Sequence, residues 1–208
     1  LARRGYDTQL MEMREGVALE TSYANGALLT PSMADPWNAP GVHRHLAASI
    51  FSRHSAMKLR LSAIPSLGGW GLRFLRYSNA ARHEAATKAS FVLAKYSVDR
   101  IRHLADRLSL RYDATAGGTL KVFRTRAAMQ GPLALANKLA PLGLQFEVLD
   151  AEGTIAVEPA LAEIRSRLAG AIRFPDDTSG DAWQFCEQLT AAFVQAGGIV
   201  RLGTAVTG

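Results

Sequence analysis

The residues best suited to chemistry lie near the amino end. Glu12 stands at the close of a short strand-like run, DTQLMEM (7–13). The loop LETSYANGALLTPS (19–32) follows and gathers Thr21, Ser22, Asn25, Gly26, Thr30 and Ser32 among small apolar residues. A carboxylate at a strand end can accept hydrogen bonds from the hydroxyls of a ribose. The hydroxyls of Thr21 and Ser22 can donate to phosphate oxygens. Backbone amides near Asn25 and Gly26 can approach a flat ring, because Tyr23 is the one bulky residue there. The same residues also suit a capped helix start or an ordinary polar turn.

A nucleotide site needs particular elements to hold such groups. A strand leads through a glycine loop into a helix whose N-terminus meets the phosphates, and a second strand ends in the acid. Here LARRG reads as the end of that helix, with Arg3 and Arg4 suited to a C-terminal dipole and Gly5 as a left-handed cap. The second strand is Asp7–Met11, and Glu12 sits where the ribose acid belongs. The glycine loop itself would precede Leu1. The other end, GGIVRLGTAVTG, stops on a strand and its turn. The chain is therefore expected to be a fragment of a longer protein, and a signal peptide can be neither read nor ruled out.

Further along, residues 43–62 read as a helix that Pro65 and LGGWG interrupt. Apolar positions Phe91, Ala94, Val98, Ile101, Leu104 and Leu108 step by three or four and predict one long amphipathic helix over 80–110. TLKVFRT reads as a strand with Leu120, Val122 and Arg124 on one face, and 126–139 as a helix ended by Pro141-Leu142-Gly143. LQFEVLD is a strand, VEPALAEI a short helix with Pro159 in its first turn, and AGAIRFP a strand. A polar loop, DDTSGD, leads into a helix over 181–196, and IVRLG is a last strand. This order is α/β at the ends and α+β in the middle: two segments of one α/β domain separated by a large insertion.

Charge is distributed unevenly. The chain of 208 residues carries a net charge of +6, yet no acid occurs between Asp35 and Glu84. That interval holds Arg44, Arg53, Lys58, Arg60, Arg73, Arg76 and Arg82, leaving 17 of the 24 bases to face all 18 acids elsewhere. Because Trp70, Phe74 and several leucines interleave with these bases, three readings stay open. They are a solvated basic face over a normal core, an anionic membrane surface, and a nucleic acid. No nucleic-acid motif supports the last, and no run reaches the ~18 apolar residues of a membrane-spanning helix. With 48% hydrophobic residues the chain can bury a core, and its one cysteine excludes an internal disulfide framework and a thiolate zinc site.

Other polar groups carry weaker signals. His43, His45 and His54 have poor spacing for a helix-borne metal site and are expected to face solvent. Asp176, Asp177 and Asp181 lack a further ligand pattern, so capping of the following helix by Ser179 or Asp181 is expected instead. Cys186 reads as a core thiol. No metal site and no catalytic acid or base is expected.

Longer stretches resemble a known family. EGVALETSYANGALLTPSMADPWNAPGV (15–42) is similar to the amino-terminal region of D-amino acid dehydrogenase small subunits, within the D-amino-acid-oxidase-like FAD-dependent oxidoreductases. GGTLKVFRT resembles that family's substrate-domain strand, VEPAL its short helix, and FPDDTSGDAWQF its return to the flavin domain, so the likeness runs from about Gly5 to Val206. The resemblance implies a partial Rossmann-like FAD-binding domain interrupted by a mixed-sheet and helical substrate domain. The FAD-binding parts would be residues 1–34 and 176–208, and the substrate domain residues 35–175.

The resemblance further implies oxidation of D-amino acids to 2-oxo acids and ammonia with FAD. Electrons would pass to a respiratory-chain acceptor, at the cytoplasmic face of the inner membrane or in the cytoplasm. Glu12 would bind the ribose, and Met13 and Arg14 would line the adenosine. Thr21 and Ser22 would lie near the pyrophosphate, Ala24, Asn25, Gly26 and Ala27 beneath the isoalloxazine, and Val206 against the adenine. Three departures stand out: Ala27 replaces a frequent glycine, the glycine-rich loop is missing, and so is the C-terminal half of the family pattern. The fragment is accordingly expected to be inactive by itself and to retain FAD poorly. A reading of a different class makes the basic segment 42–83 a non-enzymatic module for a membrane or another partner; no nucleic-acid partner is expected.

Overall fold

The computed structural model describes residues 1–43, 46 and 64–207. Two compact units divide the chain, residues 1–32 with 95–208, and residues 33–94. The expected helix over 43–62 lies almost wholly outside the described residues, as do His45 and His54.

The first unit begins with a single 3₁₀ turn, Ala2–Arg4. Gly5 closes it at φ 81°, donating its N–H to the Ala2 carbonyl, a left-handed conformation that glycine adopts without strain. Strand β1 (Gln9–Met11) follows and pairs in parallel with the last strand, β7 (Ile199–Arg201), Gln9 facing Ile199 and Met11 facing Arg201. β2 (Leu28–Leu29) pairs antiparallel with β6 (Thr178–Ser179). The third sheet holds β3 (Thr119–Phe123), β4 (Glu147–Leu149) and β5 (Gly170–Phe174), in the order β3-β5-β4 and antiparallel throughout.

β5 is the centre of that sheet. Its sequence GAIRF is nearly continuous in apolar or small residues, as a strand covered on both faces must be, and Ile172 is 0% exposed. Gly170 opens the strand at φ +142°, and a Cβ there would lie 2.4 Å from the Leu149 carbonyl oxygen of β4, so only glycine permits that approach. On β3 the buried residue is Phe123, while Val122 is exposed and Leu120 half-buried.

Helices α3 (Arg126–Leu139) and α4 (Ala151–Val157) pack on β5. Thr125 caps α3 by accepting the Ala128 N–H at 3.2 Å, and Asp150 caps α4 by accepting the Gly153 N–H at 2.8 Å. α4 was not expected; the anticipated VEPALAEI helix begins only after it, as a 3₁₀ run over Pro159–Arg167 with Glu158 as its cap. The strand expected over LQFEVLD is confined to Glu147–Leu149.

In the second unit α1 spans Ile64–Tyr77, where the sequence suggested a break. Pro65 is the second residue of this helix, a position whose missing N–H costs no intrahelical bond. The glycines lower helix propensity by about 1 kcal/mol each. Against that, Trp70 and Phe74 stack one turn apart, ring centroids 5.1 Å from each other. The long helix is α2, Ala80–Leu108, within two residues of its predicted span; Asn79 caps it by accepting the Arg82 N–H at 3.0 Å, and it carries residues of both units.

Candidate functional site

The functional candidates fall in two places, both within the first unit. One is the carboxyl end of the parallel pair. The Glu12 N–H continues the β1–β7 ladder to the Arg201 carbonyl at 2.9 Å, and the Glu12 and Arg14 carbonyls accept the Thr204 and Gly203 N–H groups, each at 2.9 Å. Glu12 therefore stands just past the end of β1, where open parallel sheets place their ligands. Its Oε1 accepts the Arg14 N–H at 2.9 Å, and its Oε2 has no partner among the described residues. That leaves an acceptor of the kind a ribose diol requires. Met13 is exposed, Arg14 forms an ion pair with Glu20, and Val206 is 78% exposed, two residues beyond the Thr204 contact.

The other place is a cleft of about 300 Å³, the lower end of the range for small-molecule sites. Ser22, Tyr23, Ala24, Asn25 and Ala27 form one wall, and Ser179, Gly180, Asp181, Ala182 and Asp113 the other. Asn25 shapes its wall locally: its side-chain oxygen accepts the Ala27 N–H at 2.8 Å, a turn that asparagine favours. The Ala27 carbonyl then accepts the Gly180 N–H at 2.9 Å, tying the two walls together. Tyr23 packs edge-on to Trp183 with ring centroids 5.7 Å apart. Thr21 and Gly26 belong to the same loop but do not line the cleft.

The opposite wall was missed as part of the site, although its SGD tripeptide before a helix carried a capping signal. Asp181 caps α5 (Ala182–Gln195) by accepting the Gln184 N–H at 2.9 Å, as expected of it. Gln184 Nε2 donates to Asp113 at 2.6 Å and to Asp181 at 3.2 Å, holding two carboxylates on one side of the cleft. Asp113 gave no local signal, since only the fold brings it there. The three aspartates of DDTSGD have separate roles: Asp176 offers its carbonyl to Arg102 at 2.7 Å, Asp177 is buried, and Asp181 caps. His43 is exposed. Cys186 is half-buried on α5, and burial pushes its thiol up from the ordinary range, so it is a poor thiolate nucleophile.

The donor set fits part of an FAD molecule. The free oxygen of Glu12 suits the adenosine ribose, and the small residues Ala24 to Ala27 leave room for a flat ring. The cleft itself, with two carboxylates and no base on its lining, suits a neutral group better than a pyrophosphate.

Ala27 holds φ at 54°, the left-handed region that disfavours a Cβ by roughly 1–2 kcal/mol. Replacing Ala27 with glycine removes that cost, while the greater freedom of glycine in the unfolded chain returns part of it. The expected net result is a stabilisation of about 0.5 kcal/mol, read as a higher urea midpoint at unchanged slope. A lower midpoint would mean that the Ala27 methyl makes packing contacts that outweigh the strain.

Comparison with known proteins agrees with this geometry. A family model described as FAD dependent oxidoreductase matches residues 1–208. The D-amino acid dehydrogenase of Phenylobacterium zucineum (strain HLK1) is 37% identical over 209 residues, covering 100% of this chain and 49% of that protein. That of Methylobacterium sp. (strain 4-46) is 35% identical over 206 residues, covering 99% and 49%. Among solved structures, glycine oxidase from Geobacillus kaustophilus superposes with a TM-score of 0.60 at 18% identity, over 99% of this chain and 42% of that one. L-alpha-glycerophosphate oxidase from Mycoplasma pneumoniae, with FAD bound, gives 0.59 at 15% identity, over 100% and 42%. At such identities the structural likeness shows the fold. The chain spans about half the length of the curated relatives it matches. With its whole length matched by the family model, the chain belongs to the FAD-dependent oxidoreductase family.

Proposed function

We propose that this chain is a portion of an FAD-dependent D-amino acid dehydrogenase, which oxidises D-amino acids to 2-oxo acids and ammonia and passes the electrons to a respiratory-chain acceptor. The observation that carries the reading is the free Glu12 oxygen at the carboxyl end of β1, in a chain whose full-length matches include proteins named for that activity. Residues 1–34 and 176–208 form parts of the flavin-binding domain and residues 35–175 the substrate domain.

Bound FAD supplies a two-electron acceptor, so that the substrate carbon gives up a hydride, the amino nitrogen a proton, and the resulting imine takes up water to release ammonia. The residues of this chain bind and orient. Glu12 accepts the ribose hydroxyls, and Met13, Arg14 and the Val206 backbone flank the adenosine. Ala24, Asn25, Gly26 and Ala27 form the turn beneath the ring. Thr21, outside the cleft, and Ser22, on its wall, serve the phosphate side with their hydroxyls.

The partners in this reading are a D-amino acid, an electron acceptor and an anionic membrane surface. No helix among the described residues is long and apolar enough to cross a membrane. Contact from one side is supported by α1, where Arg73 and Arg76 accompany Trp70, 61% exposed, and Leu72, 73% exposed.

Two measurements test these statements. In the full-length, FAD-loaded protein without oxygen, D-amino acids should bleach the flavin absorbance and the L-enantiomers should not; bleaching by L-amino acids alone contradicts the assignment. The same protein should sediment with phosphatidylglycerol vesicles and be released as salt rises from about 0.1 to 0.5 M. Equal binding to neutral phosphatidylcholine removes the anionic surface from the account.

A further inference from the structure

We infer that Asp177 is a positioning residue that sets the cleft between the Ser22–Ala27 loop and Ser179–Ala182. The strand pair that joins these walls, β2 with β6, is only two residues long on each side, Leu28 facing Ser179 and Leu29 facing Thr178. A two-stranded ribbon of that length has little stability by itself. At one end it opens into the cleft through the bond from the Gly180 N–H to the Ala27 carbonyl. At the other end Asp177 closes it.

The Asp177 side chain is buried, at 2% exposure, and accepts three hydrogen bonds. Ser32 donates its hydroxyl at 2.5 Å and its N–H at 3.4 Å, and Thr119 of β3 donates its hydroxyl at 2.6 Å. Ser32 lies three residues after β2, and Asp177 immediately precedes β6. One carboxylate therefore joins both strands of the short ladder to the larger β3-β5-β4 sheet. The neighbouring Asp176 carbonyl is held by Arg102 of α2 at 2.7 Å, a third residue fixing the same corner after Ser32 and Thr119. No cation pairs with the Asp177 carboxylate among the described residues, so its burial depends on those three donors.

Thr115 holds the near end, exchanging backbone N–H···O bonds with Ser179 at 3.0 and 3.1 Å, and in this inference Asp177 anchors the far end, so that the cleft walls keep their spacing. The flavin consequence rests on the function proposed above; the anchoring does not.

The test compares Asp177→Ala, Asp177→Asn and the milder Ser32→Ala with Leu168→Ala, a buried residue two positions before β5, in the full-length protein. Native-state hydrogen exchange is followed at the Gly180 amide and across 27–32 and 178–181. The Asp177 variants should exchange there about tenfold faster or more, with the 147–149 and 170–174 amides unchanged, while Leu168→Ala should loosen the sheet and spare the ladder. Asp177→Asn, which keeps one acceptor oxygen, should fall between. Uniform loss of protection, or no change at Gly180, overturns the proposal. If the alanine variant does not fold, Ser32→Ala must still show the local pattern or the proposal fails.

A second readout is the rate of FAD release at a temperature where all variants are folded. It should rise about tenfold in Asp177→Ala and stay at the wild-type value in Leu168→Ala. Local loosening without faster release overturns the flavin consequence alone, whereas an unchanged ladder overturns the positioning role whatever the flavin does.

Discussion

The parallel pairing of β1 with β7 is the constraint on which the rest depends. It joins residues near the two ends of the chain, and everything between must leave the sheet and return to it. A parallel pair requires a crossover, and here the crossover is the whole antiparallel sheet with its helices and the second unit. Because both strands run the same way, both carboxyl ends open on one side. Glu12 follows one end and the segment leading to Val206 follows the other, so the pairing brings both onto the side where open parallel sheets place their ligands.

A second, smaller junction does comparable work for the cleft. β2 and β6 come from segments far apart in sequence, and their ladder brings the small-residue loop against the start of α5. The chemistry of the two places differs. At the end of β1 a free carboxylate oxygen invites hydroxyl groups. In the cleft the carboxylates of Asp113 and Asp181 are already engaged by Gln184, and their charge repels phosphate. A dinucleotide laid along this chain is therefore met by different chemistry at different points.

Much of this was legible in the residues, and the failures have physical causes. Gly5 and Asp181 each fixed an element boundary through local chemistry, a left-handed cap in the first case and a side-chain acceptor in the second. The span of α3 was read correctly across Pro132, and the 3.6-residue period found α2. The place of Glu12 just past a strand end was legible because a strand end is a local pattern. By contrast, α1 was missed because Gly68, Gly69 and Gly71 argue against a helix while the Trp70–Phe74 contact that favours it is invisible to propensity. β2 and β6 are too short for any period to show, and Asp113 enters the cleft only through the fold. The resemblance to a flavoenzyme family supplied what spacing could not, the identity of the cofactor.

The most direct test of the account is a titration of the full-length apoprotein with FAD and with FMN, in wild type and in Glu12→Ala. FMN lacks the adenosine that Glu12 is assigned to hold. The account predicts that Glu12→Ala weakens FAD by about tenfold or more, the loss of a charged hydrogen-bond acceptor, and leaves FMN affinity unchanged. Equal weakening of both ligands, or of neither, would contradict it.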